Sequence, residues 1–481
     1  MAESPLHIVV FPWQAFGHMI PYLELSRSLA ARGHRVSYLS APRNIQRLPT
    51  HSAHPLIRFV PIPFSSSSAS LLPPGAESTA DLPSADAPDL LLAAVDSLRD
   101  AVADFLSSAD PKPDWIIHDF APCWLPAIAA DFGIPCALFN TFPSFFVAFT
   151  APYLYGPPPP QKPQPQELPA SLVFRPYQIR QLMGAAQRST AAVNVAERWR
   201  TARAQAEFMA IRDCDELDAD WLAILHGFFD KPVVPVGLLP PARNAGADSD
   251  PHSSSIVRWL DGQPPSSAVY VSLGTEATLD ADLLRELALG LELSGAPFVW
   301  ALRAPAELLL PEGFVARMGD SGRGVVATGW VPQLEILGHR AVGVFVTHCG
   351  WSSIIEGLGF GRPLVMLPVL HDQGINAQAV AAKKVGVEIE RDLEDGSFTK
   401  ESVARAVRLV LAEEAGEEIR ANAKKMEGIC GNRECNERYV DRLVQLLRDH
   451  HSPPAAAAAA CNFLLLLLAL LLLLLRLVSW W

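Results

Sequence analysis

The stretch 330–373 constrains what this chain can fold into more than any other part of the sequence. Residues 343–346 form a short apolar run, which is typical of a buried parallel strand. The run ends in a loop of small residues, 347–353, and the free N–H groups where the next helix begins favour an anion such as phosphate. A second strand pattern, 363–368, leads to the polar residues 371–373. Because ligands of open α/β sheets bind at the carboxyl ends of the strands, both loops are predicted to face one ligand.

The same alternation of strand and helix patterns runs through the rest of the chain and predicts the α/β class. Near the N-terminus, residues 7–12, 20–31 and 36–39 indicate a strand, a helix and a strand, the unit that opens a parallel sheet. A second series begins with the strand pattern 268–273. A chain of 481 residues is too long for one ordinary hydrophobic core, so we expect two domains.

A segment rich in Ala, Asp, Ser and Pro is the best candidate for the connection between the two domains. The predicted boundaries are an N-terminal domain 1–240, a linker 241–255, a C-terminal domain 256–432, a helix 433–450 that crosses back to the N-terminal domain, and a hydrophobic tail 455–481.

The tail allows two interpretations. Residues 455–475 carry no charge and are mostly alanine and leucine, and a membrane-spanning helix needs about 20 apolar residues. Arg476, Trp480 and Trp481 are of the types that lie at a membrane interface, which favours a C-terminal anchor on the cytosolic face of a membrane. The alternative is a low-complexity extension from an altered reading frame, without a selected role.

Composition excludes some classes of partner. The formal charge of −12 argues against a nucleic-acid partner, whose phosphates need a basic face. The cysteine count of 7 is odd, and the cysteines are scattered without a CxxC pair, which fits a reducing compartment and argues against a structural zinc site. The apolar run 6–11 is too short for the core of a signal peptide. We therefore expect the catalytic body to be cytoplasmic.

Two polar residues follow predicted strands of the N-terminal half. His18 follows the strand 7–12, and Asp119 follows the strand 114–118. An imidazole with an ordinary pKa of about 6.5 can accept a proton near neutral pH, and a carboxylate can orient it and stabilise its charged form. The alternative for a lone histidine is a structural role. Phe142 and Phe145 belong to an aromatic cluster that forms either core or the wall of a ligand pocket.

The spacing of residues 330–373 resembles the signature box of plant family 1 UDP-dependent glycosyltransferases, and the resemblance extends over about residues 6–448. His18, Asp119 and the loop 272–275 also lie where that family has functional residues. The resemblance implies the GT-B arrangement, in which two Rossmann-like α/β domains face a central cleft. It also implies that the N-terminal domain takes the acceptor and the C-terminal domain takes the UDP-sugar.

The resemblance implies a role for each position of the box. Trp330 is expected to stack on the uracil, with the backbone of Val331 and Gln333 near its edge, and Glu356 to accept hydrogen bonds from the ribose hydroxyls. The residues expected to hold the diphosphate are Thr275, His348, Gly350 and Ser353, and those expected to contact the sugar are Trp351, Asp372 and Gln373. The final glutamine of the box implies glucose. The structural alternative for Ser353 and Glu356 is a helix capping box.

Position 352 departs from the family, because Ser352 stands where the family usually has asparagine. A serine is shorter and offers a hydroxyl in place of an amide, so a contact to the phosphate or to the neighbouring loop is expected to be lost or replaced by water. This keeps UDP-rhamnose open as the alternative donor.

The segments 11–18, 41–45 and 298–303 are most similar to a plant subgroup that extends a sugar already present on a flavonoid, terpenoid or saponin. The residues expected to bind such an acceptor are Trp13, Phe16, Phe120, Phe142, Phe145 and Glu276.

The predicted activity is the inverting transfer of a hexose, with glucose as the first choice, from a UDP-sugar to a hydroxyl of a small-molecule glycoside by a monomeric enzyme. No cofactor or metal is expected, because the D-x-D patterns 218–220, 248–250 and 280–282 lie in linker or helix-start contexts where aspartate is a favoured cap. A rival from another class is a membrane-tethered UDP-sugar-binding protein without transfer activity. A nucleotide-sugar epimerase or other NAD enzyme would need a GxGxxG fingerprint, which the sequence lacks.

Overall fold

The strands form two separate parallel sheets in the computed structural model of the chain. The residues that the structure describes are 4–50, 54–82, 88–157, 172–188, 192–241, 251–274, 276, 279–302 and 309–451. Two Rossmann-like α/β domains are therefore present, as the sequence predicted.

The N-terminal sheet has seven strands in the order β3-β2-β1-β4-β5-β6-β7. The strands are β1 (His7–Phe11), β2 (Arg35–Ser40), β3 (Ile57–Pro61), β4 (Trp115–His118), β5 (Cys136–Asn140), β6 (Phe208–Ile211) and β7 (Val233–Pro235). All neighbouring strands pair in parallel. The strand order reverses between β1 and β4, which is where an open α/β sheet forms its ligand crevice.

The C-terminal sheet has six strands in the order β10-β9-β8-β11-β12-β13, again all parallel. The strands are β8 (Ala268–Ser272), β9 (Phe298–Leu302), β10 (Gly324–Thr328), β11 (Val342–Thr347), β12 (Leu364–Met366) and β13 (Gly386–Glu388). Its order reverses between β8 and β11, so the predicted anion loop after β11 lies at the crevice of the second sheet.

Helices connect the strands and cover the sheets. Those of the first half are Phe16–Ala31, Pro42–Arg47, Ser66–Ala69, Pro88–Asp96, Arg99–Ser108, Leu125–Asp131, Ser144–Leu154, Pro176–Arg188, Val195–Gln205 and Asp215–Phe228, with a 3₁₀ turn Thr79–Asp81. Those of the second half are Pro251–Asp261, Ala281–Ser294, Phe314–Asp320, Gln333–Gly338, Trp351–Gly359, Gln373–Ala382, Lys400–Leu411, Glu417–Cys430 and Arg433–His451, with a 3₁₀ turn Glu414–Gly416.

Several elements differ from the sequence prediction. The helix predicted from residue 20 begins at Phe16, so His18 lies in its first turn. The sequence pattern of residues 90–106 predicts a single helix, whereas the structure has two, Pro88–Asp96 and Arg99–Ser108. At the break the hydroxyl of Ser97 donates to the carbonyl of Ala94 (2.6 Å), a local bond of the kind that disturbs a helix. The short strands β3, β6 and β13 were not predicted, since runs of three to five residues carry little periodicity.

Residues 61–88 are rich in serine and proline, which predicts a long surface loop, but the described part of this segment is partly buried. Its described residues 61–82 place Ile62, Leu72 and Ser78 in the interior. Asp81 accepts hydrogen bonds from Arg47 (2.7 Å) and from the backbone of Ser78 (3.0 Å). Burial alone would raise the pKa of Asp81, but these donors outweigh it and lower the pKa to about 2. The carboxylate therefore holds the segment against the first domain.

The predicted linker and tail lie largely outside the described residues. Residues 242–250 of the linker are among those not described, and the helix Pro251–Asp261 begins within its last five residues. The whole tail 455–481 is also outside the described part. Within the part that is described, no helix combines the length and the apolar character needed to cross a bilayer.

The chain divides into two units, residues 1–440 and residues 441–481. The helix Arg433–His451 begins in the first unit, and its initial turns contact the N-terminal domain there. Arg32 donates to the Glu437 carboxylate (2.5 Å), and the side-chain oxygen of Asn436 accepts from the backbone of Leu238 (2.5 Å). In the second unit, residues 441–451 are the described part and complete this helix.

Candidate active site

His18 and Asp119 meet because the two strands that precede them are neighbours in the sheet. β1 and β4 pair in parallel with Phe11 opposite His118, and the backbone N–H of Asp119 donates to the carbonyl of Phe11 (3.1 Å). The residues that follow these strands therefore emerge side by side. The imidazole Nδ1 of His18 lies 2.8 Å from the carboxylate Oδ2 of Asp119.

Asp119 is held on both oxygens. The backbone N–H of Phe120 donates to its Oδ1 (2.8 Å), and that of Trp13 donates to its Oδ2 (3.1 Å). The carboxylate is fully buried, whereas the side chain of His18 keeps 12% of its surface exposed and lines the cleft. Because Asp119 engages Nδ1 as an acceptor, that nitrogen carries the proton and Nε2 is the basic atom of the ring.

The environment of His18 favours its charged form. Burial alone would lower the pKa of His18, but the charge and hydrogen bond of Asp119, helped by Glu276 and Asp372, outweigh burial and raise the pKa above its ordinary value. An imidazole with this environment can take up a proton and hold it.

Thr141 completes the surroundings of the imidazole and was not identified from the sequence. It follows β5, the next strand of the sheet, and its hydroxyl lies 3.1 Å from Nδ1 of His18. The rings of Phe120 and Phe142 flank the imidazole at 6.1 and 5.4 Å between ring centres. The apolar run 137–139 predicts this strand. Thr141 follows the strand as His18 and Asp119 follow theirs, so its position could have marked it as a candidate site residue.

The facing edge of the second sheet carries His348, directly after β11. Its ring is closely packed between two glycines, since a Cβ at Gly274 would lie 2.5 Å from the imidazole and one at Gly350 would lie 2.6 Å from it. Gly274 also has φ +77°, a conformation that favours glycine. Burial lowers the pKa of His348 to about 4, so the ring is neutral at physiological pH and can donate one hydrogen bond.

The helix after His348 begins at Trp351, with Gly350 at its N-cap. Ser353 therefore lies inside the first turn, and the capping-box alternative for Ser353 and Glu356 is wrong. The N–H groups of this first turn have no acceptor within the helix and line the cleft beside His348. The helix therefore begins where the sequence predicted an anion site, and its free N–H groups are of the kind that can bind one.

Glu356 lies one turn further along the same helix. Its Oε2 accepts from Nε2 of Gln333 (2.6 Å), whose Oε1 in turn accepts from the hydroxyl of Tyr270 (3.0 Å). Burial raises the pKa of Glu356, although Gln333 and Arg212 counteract the effect. Trp330 also lines the cleft and is 75% exposed, whereas the next residue, Val331, is buried. An exposed indole beside a fixed carboxylate suits a base and a ribose.

Asp372 ends the loop after β12 and is the N-cap of the helix Gln373–Ala382, and both Asp372 and Gln373 line the cleft. Asn376 donates to Oδ2 of Asp372 (2.5 Å), and Oε1 of Gln373 accepts from the backbone of Val369 (2.9 Å) and Leu370 (2.8 Å). Burial raises the pKa of Asp372, and the Asn376 hydrogen bond opposes the effect. Both side chains are thus fixed toward the same space as His18.

Ser352 makes a contact that the sequence did not predict. The hydroxyl of Ser352 accepts from the guanidinium Nη1 of Arg212 (2.7 Å), a residue of the opposite domain. The carbonyl of Arg212 accepts from the indole Nε1 of Trp351 (3.1 Å). No sequence motif marked Arg212, because it follows the unpredicted strand β6.

One cleft of about 1840 Å³ joins these groups. Of the predicted acceptor residues, Trp13, Phe16, Phe120, Phe142 and Glu276 line it. Phe145 lies elsewhere: its fully buried ring packs edge-on against Trp351 (5.5 Å) in the core. For Phe145 the core alternative therefore holds.

The cleft has lining residues that the sequence interpretation missed. Ile179, Leu182 and Met183 extend its apolar wall, and Thr79 donates to Oε1 of Glu276 (2.6 Å) across it. The three apolar residues have the i, i+3, i+4 spacing of one helix face, and each is at least 40% exposed. This apolar spacing is visible in the sequence and could have predicted a helix face that lines a ligand cleft.

Thr275, expected beside the diphosphate, lies outside the described residues. So do residues 248 and 250 of the D-x-D patterns. Asp280 caps a helix by accepting from the backbone of Leu283 (2.8 Å), whereas Asp218 is buried and pairs with Lys383 (2.8 Å). In the described part of the chain, no group of three or more His, Cys, Asp or Glu side chains is arranged to hold a metal ion.

Comparisons with known proteins agree with this geometry. A profile of the UDP-glucoronosyl and UDP-glucosyl transferase family matches residues 195–429. The chain is 41% identical to UDP-glycosyltransferase 91C1 of Arabidopsis thaliana over 93% of this chain and 97% of that protein. It is 37% identical to soyasaponin III rhamnosyltransferase of Glycine max over 93% of this chain and 96% of that protein.

The chain is also similar in fold to a solved structure. The structure of Phytolacca americana UGT2 complexed with UDP-2fluoro-glucose and pterostilbene is similar to this chain with a TM-score of 0.73 and 25% identity. The likeness covers 92% of this chain and 100% of that one.

Proposed function

The chain belongs to the plant family 1 UDP-dependent glycosyltransferases, and we propose that it transfers glucose from UDP-glucose to a hydroxyl of a small-molecule glycoside. The enzyme class and the use of a UDP-sugar follow from the family. The choice of sugar, the class of acceptor and the roles of individual residues are our proposal.

The observation that carries the proposed chemistry is the His18–Asp119 pair, 2.8 Å apart, facing the anion-binding helix start across one cleft. An acceptor hydroxyl gives its proton to Nε2 of His18 as its oxygen attacks the anomeric carbon. The bond from that carbon to the diphosphate oxygen breaks, and UDP leaves with the electron pair. Because attack and departure occur on opposite sides of the carbon, the configuration inverts.

The leaving diphosphate needs charge stabilisation. The first-turn N–H groups of the Trp351–Gly359 helix and the neutral imidazole of His348 supply donors aimed at the anion. The negative charge that UDP gains is thus met without a required metal ion, and we propose a metal-independent reaction.

The proposed donor contacts follow the positions of the box. Trp330 stacks on the uracil, Glu356 accepts from the ribose hydroxyls, and Asp372 and Gln373 hold the hexose. The carboxamide oxygen of Gln373 already accepts two backbone N–H groups, so its amide nitrogen is the group that donates to a sugar hydroxyl. The alternative donor is UDP-rhamnose, which the similarity to a soyasaponin rhamnosyltransferase supports.

An acceptor with one apolar and one polar part suits the cleft. On one side the lining is aromatic and aliphatic, with Phe142 and Met183 among its residues, and this suits a terpenoid, saponin or flavonoid body. On the other side Glu276 presents a carboxylate, which suits sugar hydroxyls, beside Thr79. We therefore propose a glycoside as the acceptor.

We also propose that residues 1–240 form the acceptor-binding domain and 256–432 the donor-binding domain of a monomeric, cytoplasmic enzyme. Every described cysteine is a free, buried thiol, which supports a reducing compartment. Size-exclusion chromatography and detergent-free fractionation of the full-length chain test this. Recovery in the membrane pellet contradicts it and favours an anchor in residues 455–481.

The proposal is tested with a panel of two donors and two acceptor classes. Full-length protein is given UDP-glucose or UDP-rhamnose with matched aglycones and their glycosides, and UDP release and glycosylated product are both measured. We expect product from UDP-glucose with the glycosides. Preference for UDP-rhamnose overturns the donor assignment, preference for aglycones overturns the acceptor assignment, and UDP binding without product overturns transfer.

A further inference from the structure

Arg212 is a buried cation that the proposed chemistry does not use. It lies at the carboxyl end of β6 in the N-terminal domain, and only 1% of its surface is exposed. Its Nε donates to the carbonyl of Leu238 (2.7 Å), and its Nη1 donates to the hydroxyl of Ser352 (2.7 Å). A guanidinium withdrawn from water needs such partners, because the loss of its hydration is unfavourable unless hydrogen bonds replace it.

Two carboxylates, one from each domain, favour the charged form of Arg212. Burial lowers the pKa of Arg212 to about 10, and Glu356 and Glu24 oppose this effect. The group is therefore still protonated at neutral pH. Conversely, burial raises the pKa of Glu356, and Arg212 is one of the groups that limit the rise. Arg212 thus helps to keep ionised the carboxylate that we assign to the ribose.

Residue 212 holds the start of the Trp351–Gly359 helix twice. Its side chain binds the hydroxyl of Ser352, and its carbonyl accepts from the indole of Trp351 (3.1 Å). Ser352 itself lines the cleft, whereas Arg212 stands behind it. The position of the helix start, where the diphosphate is proposed to bind, is therefore fixed from the opposite domain.

We propose that Arg212 is a positioning residue for the UDP-sugar, which it serves by holding the start of the Trp351–Gly359 helix through the hydroxyl of Ser352. The inference rests on the donor site of the proposed function. Because the arginine belongs to the acceptor domain, the donor site is complete only when the two domains are in contact at this point. Ser352 is then a structural partner of Arg212 in addition to a lining residue.

The test is a double-mutant cycle with Arg212→Lys, Ser352→Ala and the double variant in the full-length chain. Lysine keeps the charge but loses the planar fork that reaches the hydroxyl and the carbonyl together. Each single change removes a hydrogen bond that involves a charged group. From the free energy of such a bond we expect UDP affinity to fall about five- to tenfold. We expect the KM for the UDP-sugar to rise in parallel with the loss of UDP affinity. The kcat and the KM for the acceptor should change less than about twofold.

The two substitutions remove the same interaction. The double variant should therefore bind UDP about as tightly as whichever single variant binds it less tightly. Arg203→Lys is the matched control. Arg203 is a buried arginine that donates to the carbonyl of Lys231 (2.9 Å), away from the cleft lining, so its change should leave UDP affinity unaltered.

Calorimetry with UDP alone separates the possible failures, because it requires neither acceptor nor turnover. Wild-type affinity in both single variants, or losses that multiply in the double variant, overturns the role of Arg212 and leaves the proposed function standing. A wild-type chain that binds no UDP overturns the donor site and this inference together. If Arg212→Lys does not fold, wild-type UDP affinity in Ser352→Ala still overturns the role of Arg212, because that change removes the hydroxyl through which Arg212 is proposed to act.

Discussion

The Nδ1 atom of His18 and the Oδ2 atom of Asp119 lie 2.8 Å apart although 101 residues separate them in the sequence. Two adjacent parallel strands bring them together, and the backbone N–H groups of Trp13 and Phe120 fix the carboxylate. We propose this pair as the base and its orienting partner, and both it and the loops after β11 and β12 lie at the same cleft.

This pair predicts a specific pH dependence. The pKa of His18 is raised, and the neutral ring is the active base, so kcat/KM should fall as the pH drops through a value above the ordinary 6.5 of histidine. Asp119→Asn removes the main influence that raises this pKa and leaves burial, which lowers it. The acid limb should then move to lower pH, and the plateau rate should fall at least about tenfold. A pH–rate profile measures both.

The control for this prediction is Asp282→Asn, at a carboxylate that is 91% exposed. Its profile should match the wild type. An unchanged acid limb in Asp119→Asn would contradict the assignment of His18 as the titrating base.

Glu356→Gln should weaken UDP binding about tenfold or more, because a carboxylate that accepts from two ribose hydroxyls becomes an amide with one accepting oxygen. Titration calorimetry with UDP gives the affinity. The exposed Glu417 supplies the matched control, whose change to glutamine should have no effect. Wild-type affinity in Glu356→Gln excludes the ribose role.

Phe142 and Phe145 are expected to respond differently to alanine substitution. Phe142 lines the cleft, so Phe142→Ala should raise the acceptor KM about three- to tenfold. Phe145 is fully buried against Trp351, so Phe145→Ala should instead lower the free energy of unfolding by about 3–5 kcal/mol. Steady-state kinetics and thermal unfolding separate the two. The same loss of acceptor affinity in both variants would contradict this division.

EDTA should leave the rate of transfer unchanged, because the helix start at Trp351 and the imidazole of His348 are proposed to stabilise the leaving UDP. The measurement is the rate of product formation before and after chelation. Loss of turnover that magnesium restores would refute the metal-independent reaction.

The sequence predicted the parts of the site that lie at the ends of recognisable strands. The apolar runs before His18, Asp119 and His348 marked β1, β4 and β11, and parallel sheets place the loops at the carboxyl ends of their strands along one edge. Candidate site residues at the carboxyl ends of strands can thus be predicted from the sequence alone.

The remaining parts depended on packing between distant segments. Arg212 follows β6, a four-residue strand without a visible pattern, and its partner Ser352 lies 140 positions away. Phe145 and Phe142 are three residues apart in one aromatic cluster, yet one ring faces the core and the other the cleft. Local sequence contains no information on which face a neighbouring domain covers, so these contacts could not be inferred.

The most direct test of the account is His18→Ala in the full-length chain, with UDP affinity and product formation measured on the same preparation. We predict that UDP binds as in the wild type, because the side chains that contact His18 (Asp119, Thr141, Phe120 and Phe142) have no proposed role in holding UDP. Glycosyl transfer should fall by about 10²- to 10⁴-fold for lack of the base. Transfer at a near wild-type rate would contradict the central claim that His18 accepts the proton of the attacking hydroxyl.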